Sequence, residues 1–142
     1  MVRAATSVED SRTRLPDSEK ITVNLGPVDL GHIDLLVREG FYGNRTDLIR
    51  TAIRREIERH ETTLRTSVDR QALDLGLRRY GRAELEQVRA AGGTLRIQVL
   101  GLVVIGDDVD PELARDTIAS LRVLGALQAP AAVKAALRDR IA

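Results

Sequence analysis

Lys20, Thr22 and Asn24 are the residues whose types and spacing best suit recognition chemistry in this chain. They alternate with Ile21, Val23 and Leu25 in the run KITVNL. One face of a short strand therefore carries an amine, a hydroxyl and a carboxamide, and the other carries aliphatic side chains. A two-stranded ribbon with such a polar face fits the major groove of B-DNA. There Asn pairs bidentately with adenine, Thr bonds base edges or touches a thymine methyl, and Lys reaches guanine acceptors or a phosphate. The alternation alone also fits an ordinary strand with one solvated face. A second set, Asn44, Arg45 and Thr46, opens a strongly patterned helix. Free N–H groups and partial positive charge at a helix start suit a phosphate. Asn44 also suits the N-cap, with Asp47 three residues on. Capping and phosphate contact use different groups and are compatible.

Other polar clusters read more simply. Arg54, Arg55 and Arg59 interleave with Glu56, Glu58 and Glu61, the pattern of a solvated, salt-bridged helix face. His32 and His60 stand alone. Asp107, Asp108, Asp110 and Glu112 fall in GDDVDPE, which lacks EF-hand spacing, and Asp110 before Pro111 reads as a helix cap. The chain has no Cys, which removes disulfides and thiolate chemistry. No nucleophile–base–acid set and no phosphate-binding glycine motif is visible. The expectation is a protein that is not an enzyme, with no metal site and no cofactor.

Two elements must position the polar sets. Lys20–Leu25 reads as a half-buried strand stopped by Gly26 and Pro27, and Val28–Arg38 as a helix stopped at Gly40. The strongest helix runs from Asn44 to about Thr62, with Leu48, Ile49, Ala52, Ile53 and Ile57 on one stripe. A lone strand of this length cannot pair its own backbone groups or bury its apolar face. The simplest solution is a homodimer in which two copies pair as an antiparallel ribbon covered by four helices. Its core would hold Ile21, Val23, Leu25, Ile33, Ile49 and Ile53.

The strand, the helix and the stretch GFYGNRTDLIRTAIRREI together resemble the ribbon-helix-helix DNA-binding family, of the CopG, MetJ and Arc type. The likeness covers about residues 19–61. GFYGNRTDLIRTAI follows the family's turn into the second helix almost position by position, with Thr46 in place of Ser and Asp47 in place of Glu. The resemblance implies a sequence-specific DNA-binding regulator, a bacterial repressor, whose partner is double-stranded DNA. It assigns base reading to Lys20, Thr22 and Asn24, and phosphate contact to Asn44, Arg45 and Thr46. Some relatives add a nickel-sensing domain with His and Cys ligands, and nothing after His60 supplies either residue.

The second half changes style. ALDLGLR, IQVLGLVVI and LRVLGAL each hold a Leu-Gly pair in an apolar run, at Gly76, Gly101 and Gly125. Each is followed by a helix candidate, at 83–91, 111–119 and 131–138. Two readings fit: a small domain whose β-α-β crossovers look alike, or a true β-α repeat. Both predict near-parallel strands with right-handed crossovers and open sheet edges that invite another chain. Val103 and Leu124 are candidate contact residues between dimers.

The expected organisation is therefore an N-terminal arm over 1–18, a ribbon-helix-helix module over 19–62 and a connector over 63–70. A small β-α repeat-like module over 71–142 follows, for higher-order homo-oligomerisation or partner binding. The fold class is α+β. An antitoxin-type protein, whose C-terminal half binds a partner protein, is the alternative. Against it, residues 92–142 are apolar and patterned with six basic and six acidic residues, unlike a charged disordered tail.

Bulk properties fit this picture without pointing to it. The chain has 142 residues, 43% hydrophobic and 30% charged, the balance of one globular domain or two small ones. Its 22 basic and 21 acidic residues leave a net charge of +1, so total charge gives no nucleic-acid signal. No apolar run reaches the roughly 18 residues of a membrane helix and no signal-peptide core opens the chain, so a cytoplasmic protein without a membrane partner is expected.

Overall fold

The computed structural model describes residues 18–142. The arm expected over 1–18 lies outside them except for Ser18. The described residues form six helices and three strands, a mixed α and β fold compatible with the α+β expectation. In order they are α1 (Pro27–Arg38), α2 (Arg45–Arg59), α3 (Glu61–Gln71), β1 (Asp74–Tyr80), α4 (Arg82–Ala90), β2 (Leu95–Ile105), α5 (Pro111–Thr117), β3 (Ile118–Gln128) and α6 (Ala131–Ala136).

Two features of the first part stand out. Lys20–Leu25 forms no strand within the single chain, because no described segment pairs with it. A ladder needs two strands, and this chain brings one candidate to that position. The connector expected over 63–70 lies within the helix α3. Its helix follows α2 after a break at His60, whose φ of -102° and ψ of 14° leave the α region. Weak apolar patterning hid α3 in the sequence. Ion pairs one turn apart help to hold it, such as Arg65 to Glu61 at 2.6 Å.

The second part follows the expected β-α order. The three strands are parallel, in spatial order β1-β2-β3. Parallel partners point to the same face, so Ile97, Val99, Val103 and Ile105 of β2 share a side with Leu121 and Val123 of β3. Against that side pack Leu85 of α4, Leu113 and Ala114 of α5, Val133 of α6 and Leu137 just after it. All three helices thus cover one face, and the core lies between them and the sheet. Asp110 caps α5 by accepting from the Leu113 N–H at 2.8 Å, and Pro111 takes the first helical position. Arg115 ties α5 to the last residue of α6 through the Ala136 carbonyl at 2.6 Å and to the segment after α6 through Asp139 at 2.8 Å.

The Leu-Gly pairs fall in one row. Gly76 is the register partner of Gly101, and Gly101 of Gly125. All three have positive φ, at 106°, 142° and 130°. The opposite face of the sheet carries Leu75, Leu77, Leu100, Leu102, Leu124 and Ala126, outside the helix-covered core; at one end of it Val104 is buried, and Ser18 and Glu19 line a hollow with Leu102, Ala126 and Gln128.

The fold separates the two candidate contact residues. Val103 is fully buried under the helices, which removes it as a surface contact, whereas Leu124 is 45% exposed on the open face. Val103→Asp should therefore destabilise the second module by on the order of 4 kcal/mol or more, because it buries an unpaired charge. Leu124→Asp should cost far less, about 1 kcal/mol, from lost strand preference and partial burial. Thermal melting followed by circular dichroism checks both, and equal losses would contradict this assignment of faces.

Candidate nucleic-acid interface

Lys20, Thr22 and Asn24 are all exposed, and so are Ile21, Val23 and Leu25 between them. No backbone hydrogen bond joins residues 19–25 to any described residue. Each of these apolar side chains faces solvent, with Ile21 75% exposed and Val23 66% exposed. The exposure continues through the helices that follow. No residue of α1, α2 or α3 is buried. Ile49, Ile53 and Ile57 remain 39%, 48% and 54% exposed, and Ile33 is half-buried. The six residues expected in a dimer core therefore lie at the surface of the single chain.

The turn between α1 and α2 is tightly specified. Gly40, at φ 83°, follows the last turn of α1 in the left-handed region. The Gly40 N–H donates to the Val37 carbonyl and the Phe41 N–H to the Leu36 carbonyl, both at 3.1 Å, which satisfies two carbonyls at the helix end. Asn44 then caps α2: its Oδ1 accepts from the Asp47 N–H at 2.8 Å. Asp47 reaches back and accepts from the Gly43 N–H at 3.0 Å. This reciprocal pair resembles a capping box shifted by one residue. The Asn44 side chain is thus engaged in capping. The N–H groups of Arg45 and Thr46 make no hydrogen bond to a described residue.

Arg45 is held in a way its sequence position does not reveal. Its Nε donates to Asp34 Oδ1 at 2.7 Å and its NH2 to Asp34 Oδ2 at 2.8 Å, a two-pronged pair across the α1–α2 corner. The hydrogen bond from Arg45 holds the Asp34 carboxyl below its ordinary range. Asp34 lies 11 residues before Arg45, outside any helical spacing, so only the fold brings the two together. Lys20, Thr22 and Asn24 and the start of α2 are all exposed in this chain, and no hydrogen bond joins the two sets. Further along α2, Glu56 accepts from Arg59 at 3.2 Å and lies 3.1 Å from the His60 ring, as expected for a salt-bridged face.

The model of the Ribbon-Helix-Helix transcriptional regulator family matches residues 16–134 of this chain. The chain belongs to that family, one of DNA-binding transcriptional regulators that typically dimerise, rather than of enzymes. The match reaches beyond the strand and the first two helices, through the sheet and into α6. No curated protein and no solved structure matches the chain. Among the described residues no helix is long and apolar enough to cross a membrane.

The Asp34–Arg45 pair gives a pH prediction with a definite sign. A carboxyl whose folded value is lowered contributes stability above its unfolded value and loses it as pH falls through the folded value. Asp34→Asn should therefore cost a constant amount of stability above about pH 5, and the gap from the parent should close in more acid solution. Melting midpoints across an acid series would show this. A gap independent of pH would mean the pair contributes nothing.

Proposed function

We propose that this chain is a sequence-specific repressor that reads the major groove with a two-stranded ribbon formed by Lys20–Leu25 of two copies. One observation carries the reading: nothing from α1 through α3 is buried, and the segment before them has no backbone partner. A second copy would supply both needs. Pairing the strands satisfies their backbone groups, and closing the helices over them buries Ile21, Val23, Leu25, Ile33, Ile49 and Ile53. Fully burying an aliphatic side chain contributes about 1.5–3 kcal/mol. The twelve side chains of a dimer start partly covered, so each gains about half of that, a sum on the order of the cost of association.

In this arrangement Lys20, Thr22 and Asn24 of both copies line the outer face of the ribbon and read base edges. The N–H groups at the start of α2, with the Thr46 hydroxyl, hold a phosphate on each side. Arg45 acts there chiefly through Asp34, fixing the angle between α1 and α2. The near-neutral chain does not oppose DNA binding, because local placement counts more than total charge. The second module joins dimers on adjacent sites in the cytoplasm. The antitoxin alternative gains little support, since the second half already holds a packed core around Leu85, Val103 and Leu113.

Two measurements test the reading. Sedimentation should find a dimer at micromolar concentration, and a folded monomer there would overturn the shared ribbon. In competition assays Asn24→Ala should cost about 1–3 kcal/mol on the specific site and little on random DNA. Equal losses on both would remove Asn24 from base reading.

A further inference from the structure

The row of glycines across the sheet has a regular internal logic. A Cβ on Gly101 would lie 2.2 Å from the Gly76 carbonyl oxygen, and a Cβ on Gly125 would lie 2.1 Å from the Gly101 oxygen. Each glycine thus leaves room for the carbonyl of the glycine on the preceding strand. Gly76 opens the row and has the same positive φ, 106°, yet nothing lies within 4 Å of its own Cβ position. At the other end, no strand among the described residues lies beyond β3 to receive the Gly125 carbonyl.

The two outer edges match in other respects. Among the described residues the outer edge of β1 has no backbone partner. Among the described residues β3 has further backbone partners only near its start, where Leu121 bonds Arg140 and Ala142 and bridges to Ile141, and where the Ile118 carbonyl accepts from Arg140. The register places Asp74 beside Val99 and Val99 beside Val123. A β1 strand added at the same step would therefore lie along Val123–Gln128, clear of Leu121. The side chains follow suit. Leu75, Leu77 and Leu124 are 66%, 52% and 45% exposed, while Leu100 and Leu102 on the middle strand are half-buried between neighbours. The edge leucines lack the outer neighbour that the middle ones have.

We propose that the free edge of β1 in one copy pairs, in parallel, with the free edge of β3 in another, so that sheets of neighbouring dimers continue head to tail. Gly125 of one copy would then stand beside Gly76 of the next, its carbonyl in the space that Gly76 leaves open. Leu124 would stand beside the next copy's Leu75, and Ala126 beside its Leu77. The partner is a second copy of this chain, because the step that joins the copies is the one that already relates β1 to β2 and β2 to β3. The contact is heterologous, so it propagates along a row of dimers or closes into a ring. This rests on the reading that the second module joins dimers, and it names the surface that does so.

The chain has no Cys, so engineered thiols can report the contact in the full-length protein. Leu75→Cys and Leu124→Cys both fall at exposed positions on the open face. Neighbouring strands lie about 4.8 Å apart, within disulfide reach, whereas β1 and β3 of one chain are about twice that apart and out of reach. When the two single variants are mixed and mildly oxidised, a disulfide should join one variant to the other. Neither variant should couple to itself, and the double variant should give a ladder of covalent multimers. Arg79→Cys mixed with Gln128→Cys tests the same register at a second place. Self-coupling of the single variants would overturn the head-to-tail edge and leave assembly through packed sheet faces. If neither mixture couples and the sedimented mass stays at a dimer at every concentration, both the edge contact and the assembly role fail.

Discussion

A backbone that one chain cannot satisfy sets the terms for the first half of this protein. Residues 19–25 carry donors and acceptors with no partner in the described chain, directly before two helices whose apolar stripes are open to solvent. Peptide groups pair with something, and in a segment with an apolar face that something has to exclude water as well. Both demands fall on the same surface. A partner that closes one closes the other, which is why dimerisation and folding are a single problem in this part of the chain. The family's habit of dimerising is the general form of the same constraint.

The second half solves its packing alone. Its three parallel strands are covered on one face by α4, α5 and α6, and the interior is aliphatic, from Leu85 through Val103 to Leu137. What this half leaves unsolved is lateral. A sheet of three strands has two edges, and covering a face with helices does nothing for them. The two halves thus meet water in different ways: the first exposes side chains that belong in a core, and the second exposes strand edges and a leucine-rich face.

Legibility in the sequence followed from how local each feature is. The alternation in KITVNL marked a segment whose polar and apolar side chains are all exposed in the single chain. The offset from Asn44 to Asp47 marked a cap that the structure contains, with Asp47 Oδ2 adding a bond to Gly43. The Leu-Gly pairs marked all three strands because each repeats within its own few residues. Helix α3 was invisible because its stripe is weak, with Leu64 and Val68 as its main apolar members. The pairing of Arg45 with Asp34 was invisible for a different reason: it depends on the angle at which two helices meet, which no residue spacing encodes. Likewise the alignment of Gly76, Gly101 and Gly125 in a single row is a matter of strand register, and similar spacings of 25 and 24 residues only hint at it.

That row has a bearing on how such a chain can change length over evolutionary time. Gly101 and Gly125 each leave room for the carbonyl of the glycine on the strand before, so the stretch from one glycine to the next is interchangeable with its neighbour. A duplication of the segment between Gly101 and Gly125 would insert one more strand and helix without disturbing the register on either side. A duplication that began or ended between strands of unlike phase would set a Cβ against a carbonyl oxygen. The glycines therefore act as a reading frame for the fold itself, separate from the one in the gene, and they mark where a unit can be gained or lost.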